Sequence, residues 1–268
     1  MGHNTQHILV LIQDNNHIRK AIVHAFKLAN IFKAHVAFAH LPHKNSKAEL
    51  PLKTIAKLNT KNIPFKAVKF GSLDAEPNHT IKQLDAIFLL TEFVENRLSA
   101  FRQNDVFKYI YKAHIPSILI SEKTVENCNY ENVIVPVDYK RETKEKLIWA
   151  SYFGRFNKAI IHLFVAHHQS KNAKRKIKAT LIFTKRMYEQ FCFDYKIIKS
   201  SRSSYWLRED AYSFSEQFEP DLIVLLSQKN DGLLNQYFGP LEIKKHLRKK
   251  KNPILFINPL KDYYLPCN

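Results

Sequence analysis

Glycine is scarce in this chain. Only Gly2, Gly71, Gly154, Gly232 and Gly239 occur among 268 residues, which leaves no glycine-rich loop able to wrap backbone N–H groups around a phosphate. The P-loop, dinucleotide and nucleophile-elbow signatures are likewise absent. Cysteine is nearly as rare. Cys128, Cys192 and Cys267 are odd in number and far apart, which excludes a disulfide framework and a CxxC zinc site and points to free thiols in a reducing compartment, the cytoplasm. No apolar run reaches the roughly 18 residues of a membrane-spanning helix. The first run, Ile8–Ile12, gives way to Gln13-Asp14 and reads as a strand rather than a signal peptide, and Gln6 stands where a myristoylation signal carries Ser or Thr. Acidic residues are the last shortage: 24 Asp and Glu face 42 Lys and Arg, a formal net charge of +18. Such an excess either solvates a surface or attracts a polyanion.

What is present is alternation. Short apolar runs at His7–Ile12, His35–His40, Phe65–Phe70, Ala86–Leu90 and Ser117–Ser121 read as strands. Between them lie helical stretches at His17–Phe32, Ser46–Thr60, Asp74–Leu84 and Asp105–Ala113. Strand-then-helix order with apolar strands predicts a parallel sheet covered by helices on both faces. The programme then repeats. His7–Gln13 is echoed by Asn132–Asp138, Asp85–Leu90 by Asp221–Leu226, and Ile115–Ile120 by Asn252–Ile257. Three echoes in the same order indicate an internal duplication, with units at 1–124 and 125–268 and a polar linker near Glu122–Glu131.

A first strand ending in Pro136-Val137-Asp138, a fourth strand Asp221-Leu222-Ile223-Val224 and a last strand introduced by Pro253 together resemble the universal stress protein family over nearly the whole chain. The resemblance implies an α/β fold of the adenine-nucleotide alpha-hydrolase-like kind. It consists of two tandem five-stranded parallel-sheet domains joined through their last strands, a pseudo-twofold dimer within one chain. Nucleotide-binding members follow the fourth strand with Gly-x2-Gly, nine residues, then Gly-Ser or Gly-Thr. Here the matching positions hold Leu226, Lys229 and Gly239-Pro240 in the second half, and Leu90, Phe93, Gln103 and Asn104 in the first. One of three glycines survives, and Pro240 offers neither hydroxyl nor N–H. The expectation is that both phosphate loops are disabled and that no cofactor is carried, with Asp138 and Gly239 as vestigial nucleotide positions. Asp138 matches the family aspartate that contacts the nucleoside; it also suits a strand-end turn or helix cap, and the first half has Gln13 there.

His162, His167 and His168 lack a carboxylate or Cys to complete a metal set, and read as histidines at a strand end. Lys244, Lys245, Arg248, Lys249, Lys250 and Lys251 place six cations within eight residues on the last helix and its exit. A second concentration is Lys171, Lys174, Arg175, Lys176 and Lys178, with Lys185 and Arg186 further along. Both clusters suit a solvated helix; both also suit a surface that tracks phosphates by counterion release. Tyr188, Phe191, Phe193, Tyr195, Tyr205 and Trp206 lie near the second cluster as core residues or base-stacking platforms, and Phe191–Ile197 alternates like a strand. The leading expectation is a non-catalytic stress-response protein binding nucleic acid or the ribosome, with no membrane partner. An adenine-nucleotide-binding regulator and a protein-interaction scaffold are the alternatives.

Overall fold

The computed structural model describes residues 5–13, 18–41, 50–69, 77–93, 100–227, 241–249 and 252–259. The first half runs β1 (His7–Ile12), α1 (Ile18–Phe32), β2 (His35–His40), α2 (Leu52–Leu58), β3 (Phe65–Ala67), α3 (Pro77–Gln83), β4 (Ala86–Phe93), α4 (Ala100–Lys112) and β5 (Ser117–Ser121). The second runs β6 (Asn132–Val137), α5 (Thr143–Asn157), β7 (Ile160–Val165), α6 (Lys171–Gln190), β8 (Tyr195–Lys199), α7 (Leu207–Phe218), β9 (Leu222–Leu226), α8 (Leu241–Lys249) and β10 (Ile254–Ile257). Both ends of β1, α1 and β2 map onto those of β6, α5 and β7 with one shift of 125 residues (His7 to Asn132). The opening unit of each half therefore repeats the same element bounds.

Several boundaries differ from the sequence pattern. α2 stops at Leu58 because the Asn59 amide takes over the backbone, donating to Ile63 O at 2.7 Å and accepting from Ile63 N at 2.9 Å. β3 is three residues long. Phe191–Asp194 is not strand: Phe191 and Cys192 close α6 through N–H bonds to Met187 O and Glu189 O, both 3.2 Å, and Cys192 turns the chain at φ 53°. β8 begins only at Tyr195.

The strands form one ten-stranded sheet in the order β3-β2-β1-β4-β5-β10-β9-β6-β7-β8. Each half contributes the same order of five parallel strands, and the halves meet where β5 runs antiparallel to β10, Ile118 opposite Leu255. The junction uses the two strands expected to meet. Because they hydrogen-bond, the two sheets expected from the sequence are a single continuous one, with a pseudo-twofold axis through the junction.

Alternation along the strands separates two faces. Ile8, Val10, Ile12, Phe88, Leu90, Ile118, Ile120, Leu255 and Ile257 belong to the core that carries α1 and α5. Leu9, Leu11 and Leu89 pack instead beneath α3 and α4, and Leu119, Ile254 and Phe256 beneath α4 and α8. On the first face an aromatic chain binds the halves together. Phe153 of α5 lies 5.2 Å from Phe32 of α1 and 6.2 Å from Phe88 of β4, centroid to centroid, and 5.8 Å from linker Tyr130. Tyr130 hydrogen-bonds His24 at 2.6 Å, and His24 Nε2 donates to Val125 O at 3.0 Å, so the linker is fastened to α1.

Candidate ligand pocket at the end of the second-half sheet

In an open α/β sheet the crevice for a ligand lies beyond the strand ends where the order reverses. That place falls between β1 and β4 in the first half and between β6 and β9 in the second. The two crevices differ. The β1–β4 ladder runs on to Leu11 opposite Thr91, whereas β6 pairs with β9 only at Val133–Leu222 and Ile134–Ile223. Asp221 N donates to Asn132 O at 2.8 Å, so Asn132, Ile134 and Pro136 are the residues whose backbone groups face β9. Pro136 has no N–H to continue the ladder. Leu11, its counterpart in the first half, does.

The strands part at Pro136, and a cavity of about 460 Å³ opens there, lined in part by Asp138, Tyr139, Lys146, His168, Tyr205 and Arg208. Asp138 sits just past β6 and is 7% exposed; its Oδ1 accepts from Lys140 N at 2.9 Å and from the Thr143 hydroxyl. Asp138 therefore organises the turn into α5, and it also lines the cavity. Lys146 of α5 is 4% exposed, and its ammonium donates to Pro136 O, the carbonyl left over by the broken ladder. Burial first, with Arg208 and Lys140 adding to it and Asp138 opposing, brings the Lys146 amine down to about 8. In the first half this position is Ala21, and the matching carbonyl, Leu11 O, is served by the Thr91 hydroxyl at 3.2 Å. Gln13, in place of Asp138, donates to Glu92 O at the extended end of β4.

His167 and His168 lie beyond β7, which ends at Val165, rather than on a strand. Ser204 N donates to His168 Nε2 at 3.1 Å and the Ser204 hydroxyl lies 2.6 Å from the same nitrogen, which puts the proton of the neutral ring on Nδ1. Tyr139 packs edge-on against it at 5.1 Å. His162 is elsewhere, buried in β7 with Nε2 3.2 Å from Asn132 Oδ1 and its ring 4.4 Å from Phe218. Among the described residues, no group of three or more His, Cys, Asp or Glu is placed to hold a metal.

Of the six aromatics near the second basic cluster, two reach the mouth of the cavity. Tyr205 is 79% and Trp206 49% exposed, in edge contact with each other at 4.8 Å. Tyr188 is core, fully buried with its hydroxyl on Leu147 O at 2.9 Å. Phe193 packs on Tyr188 and over Gly154, where a Cβ would come within 2.4 Å of its ring. Phe191 lies 4.1 Å from the Arg155 guanidinium, and Tyr195 packs beside Tyr188.

Lys171, Lys174, Arg175, Lys176 and Lys178 are all exposed along α6. The α8 cluster is different. Lys245 and Arg248 are exposed, but Lys244 is buried to 7% exposure against the Phe107 ring, and burial with Arg248 nearby lowers its amine below the ordinary lysine range. Lys249 closes the helix, while Lys250, Lys251, Lys229, Gly239 and Pro240 lie outside the described residues. The clusters also lie on opposite faces of the sheet. α6 packs through Ile177 and Tyr188 onto the α1–α5 face, and α8 through Ile243 and Leu247 onto the other. They do not form one footprint. In the first half, Leu90 and Phe93 are buried within β4, and Gln103 and Asn104 fall within α4.

Solved structures resemble the chain over nearly its whole length. A universal stress protein from Archaeoglobus fulgidus superposes with a TM-score of 0.64 at 10% identity, covering 96% of this chain and 97% of its own. The chain has the universal stress protein fold. A putative universal stress protein from Pseudomonas aeruginosa matches at TM-score 0.62 and 13% identity over 96% and 93% of the two chains. The cytoplasmic domain of a prokaryotic cation chloride cotransporter matches at 0.56 and 12% over 94% and 95%. No family model and no curated protein matches the sequence. No helix among the described residues is long and apolar enough to cross a membrane.

Proposed function

We propose that this chain is a non-catalytic stress-response protein whose second half alone receives a nucleoside-sized ligand, in the cavity beside Asp138. The observation that carries this reading is the parting of β6 and β9 at Pro136, which opens a cavity of about 460 Å³, a size suited to a small molecule. Exposed Tyr205 and Trp206 offer a planar ligand a stacking surface, and Asp138 offers an acceptor. A phosphate finds little grip there: Leu226, Lys229 and Pro240 stand at loop positions where glycines and a hydroxyl residue would serve it. The two halves, 1–124 and 125–268, then divide the work, one binding and the other bracing. Free thiols at Cys128 and Cys192 fit a reducing cytoplasm.

Thermal melts with adenosine, AMP and ATP test this. Adenosine in excess of its Kd raises Tm, as ligand linkage requires, ATP raises it no further, and Asp138→Asn with Trp206→Ala abolishes the shift. No shift with any of the three, or ATP that co-purifies with the protein, refutes it.

A second reading has its own support. The exposed row Lys171, Lys174, Arg175, Lys176 and Lys178 on α6 suits a polyanion such as RNA or a ribosome. α6 is then the footprint, and α8, on the far face, is not. Reversing Lys174, Arg175 and Lys178 to Glu should abolish salt-sensitive retention on ribosomes, while reversing Lys245 and Arg248 should not. Equal retention of both variants and the wild type removes this reading.

A further inference from the structure

Lys146 is the feature of this fold that packing least explains. Its carbonyl partner needs only a neutral donor, since the Thr91 hydroxyl serves Leu11 O at the same place in the first half. The matching helix position there is Ala21, fully packed without a charge. An amine buried to 4% exposure loses hydration that one backbone carbonyl does not replace. It nevertheless lines a cavity that a small molecule can enter, together with Asp138, His168 and Arg208. A buried lysine with a carboxylate and an imidazole around an accessible cavity is the arrangement of an amine nucleophile.

We propose that Lys146 captures small aldehydes, its Nζ forming a reversible imine inside the cavity. The neutral amine adds through its lone pair to the carbonyl carbon. The nitrogen gives up two protons in turn, the first as the alkoxide becomes a hydroxyl and the second after that hydroxyl, itself protonated, has left as water; one amine and one aldehyde give one imine and one water. No oxidant or reductant is consumed. Asp138, at the end of β6, and His168, in the β7–α6 connection, are the cavity groups that can relay these protons. The charges around the amine come from Lys140 in the β6–α5 turn, Arg208 and Glu209 on α7, and Asp138. With its amine brought down to about 8, Lys146 at neutral pH holds on the order of a hundredfold more free amine than an exposed lysine. The aromatic rim at Tyr139, Tyr205 and Trp206 favours an aldehyde on a planar ring. This inference rests on the same cavity as the nucleoside reading but not on the identity of that ligand.

The test uses the full chain with 4-hydroxybenzaldehyde and sodium cyanoborohydride at pH 7, which converts any imine to a stable secondary amine, followed by mass-spectrometric mapping. Lys146 should be labelled first, at least tenfold faster than any exposed lysine. Lys146→Arg, which keeps the charge, and Lys146→Met, which keeps the volume, should each leave only slow, scattered labelling. Adenosine protection separates the two readings. Labelling of Lys146 that adenosine does not slow supports capture and counts against the nucleoside site. An adenosine-dependent rise in Tm without preferential labelling overturns capture and leaves the nucleoside site standing. Labelling of Lys146 no faster than that of exposed lysines overturns the proposal, including when both variants fold as the wild type does.

Discussion

Replacing Lys146 by Met should stabilise the protein, and the gain should depend on pH in a defined way. The amine titrates near 8 in the folded state against an ordinary 10.5. Below about pH 8 both folded and unfolded chains hold the proton, and folding bears the whole cost of burying the ammonium, about 3 kcal/mol at 1.36 kcal/mol per pH unit. Between pH 8 and 10.5 the unfolded chain binds more protons than the folded one, so stability rises with pH through this window. Above it the amine is neutral in both states and the cost is gone. Methionine carries no charge and fills similar volume, but it leaves Pro136 O without its donor, a loss of about 1 kcal/mol. The variant should therefore lead the wild type by about 2 kcal/mol at pH 7, as the difference of these two estimates, and fall level with it or behind by pH 10.5. Urea melts of both proteins at several pH values measure the gap directly, and the exposed lysines, common to both, cancel. A gap that stays constant from pH 7 to 10.5 would show that the Lys146 ammonium is not held in a low-dielectric site, and would remove the physical basis for its reactivity.

Phe153→Ala should cost about 3–5 kcal/mol, because the ring is fully buried between Phe32, Phe88 and Tyr130. Hydrogen exchange mapped by mass spectrometry across a urea series should show both halves losing protection together; loss confined to the second half would contradict a shared core. His24 is buried, titrates near 4 chiefly through desolvation, and is satisfied as the neutral ring by Tyr130 and Val125. As pH falls from 6.5 towards 4 the unfolded chain takes up a proton that the folded chain refuses, so stability should decline by about 3 kcal/mol. His24→Gln should flatten that slope in acid titrations; an unchanged slope would assign it to other groups such as His162.

The fold was legible because parallel strands buried on both faces appear in sequence as uninterrupted apolar runs, and because the runs recur in order. β1, β2 and β5 begin and end where the pattern places them. Errors fell where a side chain, rather than periodicity, sets the boundary: Asn59 ends α2, and the Phe191–Cys192 turn imitates the alternation of a strand. Asp138 was legible through its place after Pro136-Val137. His168, Tyr205 and Trp206 were not legible as a set, since two separate connections, β7–α6 and β8–α7, bring them together only at the end of the sheet. Lys146 had a signal that went unread. It stands four residues before Ala150 and seven before Phe153, on the stripe of α5 that faces the core, where a lysine is out of pattern. Lys244 sends the same signal beside Ile243 and Leu247 on α8, and the structure buries it too.

The two halves close the same crevice differently. Two copies joined through β5 and β10 protect each other's last strands, and that contact depends on neither crevice. Leu11 supplies the N–H that lets β4 run on beside β1, Thr91 closes the carbonyl, and Gln13 ties across to β4, so the first half spends its switch point on its own cohesion. Pro136 denies the second half the same closure, and the carbonyl that results is met by a charged amine rather than a hydroxyl. A purely structural copy has no use for that choice, because Ala21 and Thr91 show how the same scaffold closes with neutral groups at lower electrostatic cost. Under the proposed function, the opening at Pro136 and the lysine beneath it belong together as two parts of one site in the second half.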